Sequence, residues 1–283
     1  MLNMPSKTFS QICRDIKSLK IQGATNIAKA GVKALSLKGA SVKKLISLRP
    51  TEPCLRNALK YALKFGRKMA LKHFDNANKQ IIKYGYKKVG GVVFTHCHST
   101  AVIDILKYAK QKGIKFEVYN TETRPNFQGR LTAKELAKAG IKLTMIVDEA
   151  VDALFEEKEP FTKCDIMFIG CDAILWNGDC INKIGSAMFA KIAFNHKIPI
   201  YICTDSWKFD PMTIKGKGAK REEIELRPAS EIWKHAPSNI LIKNPAFETV
   251  PAKFITGIIS ELGILKPRDF VKEVVKENKW MIN

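Results

Sequence analysis

The chain has 283 residues, of which 46% are hydrophobic, so it holds enough apolar material for one large or two modest domains and is not intrinsically disordered. Its seven cysteines are scattered and form no CxxC pair, which argues against a disulfide framework and against a zinc site. No apolar run approaches the roughly 18 residues of a membrane span. The start of the chain does not resemble a signal peptide. We therefore expect a soluble, cytoplasmic protein with reduced thiols and no membrane partner.

The formal net charge of +21 would attract nucleic acid, acidic membranes and phosphorylated metabolites alike. The lysines are spread along the whole chain at helix-surface spacing. No stacking-aromatic motif, helix-turn-helix punctuation or zinc knuckle accompanies them. We interpret the charge as a solvated surface and do not predict a nucleic-acid partner; salt-dependent RNA binding would test that weaker alternative.

Helical patterns fill the first part of the chain. Apolar residues at helical spacing in 9–16 predict a first helix, and a turn-like break at 20–26 precedes a second one at 27–37. A further break at 47–53 precedes a long lysine-rich helical pattern at 54–84. Both breaks are either ordinary connecting loops or anion sites. They contain the amide groups around Gly23 and the guanidinium of Arg49.

After residue 89 the pattern changes to short apolar runs that alternate with amphipathic stretches, notably 132–139 and 184–194. This alternation predicts an α/β fold: a Rossmann-like, doubly wound parallel sheet with helices on both faces. We therefore predict an α-helical N-terminal domain at 1–87 and a Rossmann-like catalytic domain at 88–283. The predicted strands are 92–94, 116–119, 141–147, 166–169, 198–202 and 240–242.

Polar residues follow several of these strands, which is where ligands bind in open α/β sheets. Cys97 follows the first strand, and the amides that open the next helix at Ser99, Thr100 and Ala101 favour a phosphate or carboxylate. No GxGxxG motif follows any strand, so a dinucleotide is not expected. The site requires a smaller phosphorylated ligand.

A thiol at the end of a strand is an acid or base, a nucleophile, a metal ligand or simply a small buried side chain. Asp172, which follows the apolar strand 166–169, is either a turn or cap residue or a general acid or base. On neighbouring strand ends, Cys97 and Asp172 would form a pair able to move a proton between adjacent carbons. Arg49, Lys183 and Lys208 are candidates for holding the substrate.

With these residues identified, the sequence resembles the translation initiation factor 2B alpha/beta/delta family, and within it the ribose 1,5-bisphosphate isomerases. The resemblance covers nearly the whole chain. It is carried by the motifs Gln22-Gly23-Ala24, Arg49-Pro50-Thr51, Thr95-His96-Cys97-His98-Ser99, Thr121-Glu122-Thr123-Arg124-Pro125, Gly170-Cys171-Asp172, Asn182-Lys183-Ile184-Gly185, Lys208-Phe209 and Asn244-Pro245-Ala246-Phe247.

The resemblance implies that Cys97 and Asp172 are the catalytic pair. The chain differs from these isomerases at Gln22, where they carry arginine, at Thr25, where they tend to have glycine, and at Thr100, where some carry lysine. The substrate-binding residues it implies are Gln22, Gly23, Ala24, Thr25, Arg49, Ser99, Thr100, Ala101, Asn182, Lys183 and Lys208.

The implied reaction converts ribose 1,5-bisphosphate to ribulose 1,5-bisphosphate through a cis-enediol, in salvage of AMP and other nucleoside monophosphates. It is redox-neutral, so no cofactor or metal is expected. The resemblance also implies a homo-oligomer, a dimer or a hexamer, with AMP as a candidate activator. The alternatives are a methylthioribose 1-phosphate isomerase and a non-catalytic regulatory subunit that binds a sugar phosphate or nucleotide.

For the mechanism we expect Cys97 to carry the carbon proton and Asp172 to carry the oxygen protons. Nearby helix amides and lysines should lower the pKa of the Cys97 thiol toward neutrality. Shielding by Phe168 and Ile169 should raise the pKa of Asp172 and leave it protonated at the start of the reaction.

Overall fold

A computed structural model of the protein describes residues 7–215 and 225–282. Helices fill its first part, and local signals explain where they begin. Thr8 forms a capping box with Gln11, the side chain of Ser41 accepts a hydrogen bond from Lys44 N, and Pro53 occupies the first helical turn. These helices are α1 (Phe9–Lys17), α2 (Ala24–Ala34), α3 (Val42–Leu48), α4 (Pro53–Phe65) and α5 (Arg67–Gly85).

The remainder alternates strands with helices, as the pattern predicted, and the α/β fold is confirmed. Its elements are β1 (Gly91–His96), α6 (Thr100–Gln111), β2 (Phe116–Thr121), α7 (Gln128–Lys138), β3 (Leu143–Ile146), α8 (Val151–Phe155), β4 (Ile166–Ile169), β5 (Ala173–Ile174), β6 (Cys180–Lys183), α9 (Ser186–Asn195), β7 (Ile200–Cys203), β8 (Phe247–Val250), β9 (Gly257–Ser260), β10 (Gly263–Leu265) and α10 (Pro267–Glu277).

In the described part of the chain the main sheet has seven strands in the order β10-β9-β7-β4-β1-β2-β3. All neighbours are parallel except β10, which pairs antiparallel with β9 at one edge. The strand order reverses at β1, because β2 and β3 lie on one side of it and β4 lies on the other. In an open α/β sheet such a switch point leaves a crevice at the carboxyl edge. A second, antiparallel sheet of β5, β6 and β8 adjoins this crevice.

Helices cover both faces of the main sheet because alternate residues of its strands point to opposite sides. On one face Phe94 shares a hydrophobic cluster with Phe189 of α9 and Phe270 of α10. On the other face Val93 shares a cluster with Leu106 of α6 and Ile81 of α5. Helix α5 therefore belongs to the helical region in sequence but packs on the sheet.

Two predicted elements were wrong. The pattern at 54–84 forms two helices, because Gly66 adopts φ +97° and ends α4 there. Residues 240–242 form no strand; Leu241 is 84% exposed, and the Ile-Leu-Ile run lies on the surface. The sheet instead uses β9, which the sequence interpretation missed. Within the described ranges, no helix has the length and apolar character to cross a membrane.

The connection between the helical region and the sheet runs from Gly85 to Gly91 through a short 3-10 helix, Tyr86–Lys88. The predicted boundary between 1–87 and 88–283 falls inside it. Because α5 contributes to the cores on both sides of this connection, the division into two domains stays a prediction.

Candidate active site

A cleft of about 220 Å³ lies between the carboxyl edge of the main sheet, the helices α2 and α5, and the connection between α3 and α4. The register pairs His96 of β1 with Ile169 of β4, and Ile169 with Ile202 of β7. The residues that follow these three adjacent strands therefore meet at one edge. The cleft is lined by all the predicted site residues, namely Gln22, Gly23, Ala24, Thr25, Arg49, Cys97, Ser99, Thr100, Ala101, Asp172, Asn182, Lys183 and Lys208.

Cys97 sits in a tight connection between β1 and α6, with a left-handed φ of +68° that a residue with a side chain rarely adopts. Two threonines hold it there. Its N–H donates to Thr123 Oγ1 at 3.0 Å, and its carbonyl accepts from Thr132 Oγ1 at 2.7 Å. A backbone conformation of this kind costs about 1–3 kcal/mol and persists only where surrounding contacts offset that cost. Such residues cluster at functional sites.

His96, the last residue of β1, supports the same connection and is 1% exposed. Its Nε2 donates to the Ile184 carbonyl at 2.9 Å, so Nδ1 is the nitrogen that accepts from Thr121 Oγ1, at 2.6 Å. Burial lowers the pKa of His96 to about 4. The imidazole is therefore a neutral structural group and not the general base of the site.

The expected low thiol pKa at Cys97 was wrong for the unliganded protein. Burial raises the pKa of Cys97 to about 11, and although Lys183 and the His98 backbone amide lower it, they do not compensate for the lost hydration. Asp172 acts in the opposite direction from Lys183. Cys97 is therefore a thiol at neutral pH.

Asp172 follows β4 and is anchored by its own N–H, which donates to the Ile181 carbonyl of β6 at 2.9 Å. Burial raises its pKa, the direction that the sequence predicted, while Lys208, Lys183 and Arg49 oppose the rise. A carboxyl group in such surroundings keeps a proton to higher pH than an exposed aspartate does.

Two helix starts face the cleft. Helix α2 begins after Gly23, which has φ +81° and no side chain to cap the first amides. Helix α6 begins after Ser99, whose Oγ accepts from Val102 N at 3.5 Å. Gly170 allows this approach, since a methyl group on it would lie 2.7 Å from Ser99 Oγ. Both starts present N–H groups suited to phosphate oxygens.

Cations also reach the cleft from the second sheet and from the segment after β7. The Nζ of Lys208 donates to the Cys171 carbonyl at 2.7 Å, and burial tends to lower its pKa, but Asp205 and Asp172 raise it and keep the amine charged. Lys183 Nζ lies 4.9 Å from the Phe247 ring centroid. Asn182, its neighbour on β6, donates to Ser186 Oγ at 2.9 Å.

Arg49 lines the cleft, but its guanidinium is already paired. Nε and NH2 donate to Glu52 Oε1 at 2.8 and 2.7 Å, and NH1 lies 3.1 Å from Glu225 Oε2. Burial opposes the charge, yet these two carboxylates outweigh it and raise the pKa of Arg49. An incoming phosphate therefore competes with Glu225 on the more exposed side of the pair.

The predicted residues of the α2 turn make polar contacts of their own. Gln22 accepts from Gln128 Nε2 at 3.4 Å, which directs its amide toward the start of α7. Thr25 donates to Asp205 Oδ2 at 3.5 Å. Ala24 is the first residue of α2 and contributes a backbone amide to the cleft.

Sequence reasoning missed four acidic residues that line the cleft: Glu52, Asp75, Asp205 and Glu225. A signal existed for Glu52, which follows Arg49 by three residues, the spacing at which charged side chains meet around a helical turn. Asp205 lies in the polar segment after β7. Glu225 is 176 residues from Arg49, and no local pattern connects the two.

Comparison with known proteins then places the chain. A profile of the initiation factor 2 subunit family matches residues 60–267, more than half of the sequence. The chain belongs to this family. It is similar to the translation initiation factor eIF-2B of Pyrococcus horikoshii, a solved structure, with a TM-score of 0.79 and 26% identity over 93% of this chain and 98% of that one.

Two curated relatives of the chain are named as isomerases. The ribose 1,5-bisphosphate isomerase of Methanocaldococcus jannaschii is 35% identical, covering 94% of each protein. The methylthioribose-1-phosphate isomerase of Pelotomaculum thermopropionicum is 30% identical, covering 92% of this chain and 83% of that protein. Relatives of the chain are thus named for two different sugar phosphates.

Proposed function

We propose that the protein is an aldose-ketose isomerase that converts ribose 1,5-bisphosphate to ribulose 1,5-bisphosphate. The observation that carries this proposal is the placement of Cys97 and Asp172 after two adjacent parallel strands, β1 and β4, in one cleft. The isomerase relative from Methanocaldococcus jannaschii supports the choice of substrate.

The reaction moves two kinds of proton. Asp172, as a carboxylic acid, protonates the ring oxygen as the C1–O4 bond breaks, while the Cys97 thiolate takes the proton from C2. The C2–H electrons form the C1=C2 bond of a cis-enediol. Because O1 carries phosphate in both substrate and product, this enediol is a 1-phosphate ester and no free aldehyde forms. Cys97 then returns its proton to C1, and the Asp172 carboxylate takes the proton of the 2-hydroxyl, which leaves the ketone.

Two anion-binding groups suit a substrate with two phosphates. The amides that begin α2 and α6 are separate donor sets, and Lys183, Lys208 and Arg49 add charge. We propose that they bind the two phosphates, with the amides of the Gly23 turn serving in place of a charged side chain at position 22.

The second candidate is a methylthioribose 1-phosphate isomerase, with the same chemistry and a thioether at C5. An apolar wall favours it: Ile27, Phe74, Ala77 and Ile81 line the same cleft. A third candidate, a regulatory subunit that binds a sugar phosphate or nucleotide without turnover, shares the fold but not the need for a thiol and a carboxyl group.

Incubation of the purified protein with α-ribose 1,5-bisphosphate and, separately, with methylthioribose 1-phosphate tests the proposal. We expect ketose formation from the bisphosphate at a kcat/KM at least about tenfold above that for the thioether, since the second phosphate adds charge-assisted hydrogen bonds. The reverse preference would support the second candidate. Binding of either compound without turnover would support the regulatory subunit.

We further propose a cytoplasmic, homo-oligomeric enzyme, a dimer or a hexamer, that AMP activates. Membership of a family of initiation factor subunits supports assembly. We also propose that 1–87 and 88–283 act as two domains with the substrate between them. Light scattering with and without AMP tests the assembly.

A further inference from the structure

The cleft contains a carboxyl group that the proposed chemistry does not use. Glu52 precedes the first residue of α4, and its side chain is 3% exposed. Its Oε1 accepts both hydrogen bonds from Arg49. Its Oε2 is buried and accepts no hydrogen bond from any residue within 7–215 and 225–282. A buried carboxylate oxygen without a partner is costly, and a proton on that carboxyl group reduces the cost.

Glu52 and Asp172 line the same cleft and face a common set of charges. The charged groups that act on Asp172 come from α3, β6 and the segments after β7 and before β8; they are Arg49, Lys183, Lys208 and Glu225. Those that act on Glu52 are Arg49, Asp172 and Glu225. The neighbouring thiols are Cys97, which Asp172 influences, and Cys54, which Glu52 influences.

Arg49 is shared between Glu52 and Glu225, so it compensates a charge on Asp172 only in part. Burial raises the pKa of Glu52 to about 7, with Asp172 adding to the rise, and burial also raises the pKa of Asp172. A negative charge on either of two buried carboxyl groups in one cleft opposes a negative charge on the other.

We infer that Glu52 is a positioning residue of the acid–base site: it forms a coupled carboxyl pair with Asp172 that keeps a proton available to Asp172 near neutral pH. The inference rests on the proposed isomerase function. Glu52 touches neither the ring oxygen nor C2 in this scheme. It acts through Asp172, and through Arg49 whose guanidinium it orients.

The pair has a kinetic signature. The reaction needs Asp172 protonated and Cys97 ionised, although the pKa of the thiol, about 11, exceeds that of the carboxyl group. The population with this combination is constant between the two pKa values and falls on either side. The acidic limb of the pH profile therefore follows the pKa of Asp172. Lowering that pKa shifts the limb to lower pH and reduces the plateau by the same factor.

The test compares Glu52→Gln with Glu225→Gln in kcat/KM profiles on ribose 1,5-bisphosphate. Glutamine keeps an oxygen acceptor for Arg49 while removing the charge. We expect Glu52→Gln to move the acidic limb down by about one pH unit and to lower the plateau about tenfold. Glu225 is more exposed, at 24%, so its variant should shift the limb less. Equal shifts in both variants would overturn a specific role for Glu52.

A titration of the Asp172 carboxyl carbon by ¹³C NMR, assigned with Asp172→Asn, gives a readout that needs no turnover. We expect two steps in the parent protein and a single step at lower pH in Glu52→Gln. A lower rate at every pH without a moved limb would identify a merely structural residue. If the parent protein has no turnover, the proposed function fails, but the titration still shows whether Glu52 and Asp172 are coupled. If Glu52→Gln does not fold, a single step near pH 4 in the parent overturns the inference.

Discussion

Cys97 combines a left-handed backbone with a buried thiol, and its neighbours cause both features. Thr123 and Thr132 hold the peptide groups on either side of the residue, and the main chain turns at once into α6. The same enclosure removes water from the sulfur and raises its pKa. The thiol thus has a fixed position and a strongly basic conjugate form, which suits transfer of a proton from carbon.

We predict that Cys97→Ser and Asp172→Asn each lower kcat by about 10² to 10⁴ while still binding substrate, because a serine hydroxyl is a weaker acid than the thiol and an amide cannot supply a proton. Stopped assays of ketose formation and calorimetric binding measure the two quantities. Cys13→Ser is the matched control, since Cys13 lies on α1 among apolar residues. A near-normal rate in Cys97→Ser would remove the thiol from the mechanism.

For Arg49 we expect an effect on binding. Arg49→Ala should raise KM about tenfold or more and change kcat little, because a charge-assisted phosphate contact contributes roughly 1.5–3 kcal/mol. Arg49→Lys keeps the charge but loses the planar guanidinium that meets Glu52, so its KM should lie between those of the parent protein and Arg49→Ala. Steady-state kinetics measure both variants. Unchanged KM and kcat in Arg49→Ala would place the phosphate elsewhere.

At the scale of secondary-structure elements, the site depends mainly on where two helices begin. Helices α2 and α6 point their first turns into one cleft, although α2 lies in the helical region and α6 follows the first strand of the sheet. The close approach of β4 to α6 depends on Gly170, since any side chain there would meet Ser99. The position of the amides that begin α6 therefore depends on the absence of a side chain at Gly170.

We predict that Gly170→Ala disturbs the start of α6. The added carbon would lie 2.7 Å from Ser99 Oγ and 2.8 Å from Ser99 Cβ, so one segment must move. We expect kcat/KM to fall at least about tenfold and the free energy of unfolding to fall by about 1–3 kcal/mol.

Gly90→Ala is the matched control, because a methyl group there meets no described residue within 4 Å. Kinetics and denaturant unfolding should separate the two variants. Equal behaviour of both would mean that Ser99 yields without cost and that the position of α6 does not depend on Gly170.

Considered as a whole, the molecule is strongly basic, with a net charge of +21, and its proposed substrate is an anion. A positive surface raises the encounter rate with an anionic ligand, and salt screens this effect over about 10 Å at 0.1 M. Attraction of an anionic substrate would give this charge a role that needs no nucleic acid.

We predict that raising the salt concentration from about 0.05 to about 0.5 M increases KM for the bisphosphate several-fold and leaves kcat within about twofold, because encounter is screened and the enclosed site is not. Sucrose at matched osmolality is the control and should change neither. A KM that does not depend on salt would show that the basic surface does not steer the substrate. Salt-sensitive RNA binding at comparable affinity would instead favour the nucleic-acid alternative.

Local patterns were sufficient for much of the fold. Apolar runs that alternate with amphipathic stretches predicted the parallel sheet and brought Cys97 and Asp172 to adjacent strand ends, because a strand's period and its terminating residues are properties of neighbouring amino acids. The run at 240–242 misled for the same reason: an apolar triplet has a strand-like pattern whether it lies in a sheet or on the surface.

Charge and proton affinity in the site depend instead on residues far apart in the chain. Glu225 reaches Arg49 across 176 positions, and α2, β1, β4 and β6 together enclose the thiol and the carboxyl group. The amino-acid sequence predicted Cys97 and Asp172 for one site and both line the cleft, but the expected low thiol pKa was wrong. Hydration and electrostatic potential are sums over everything near in space, and only the folded arrangement specifies which groups those are.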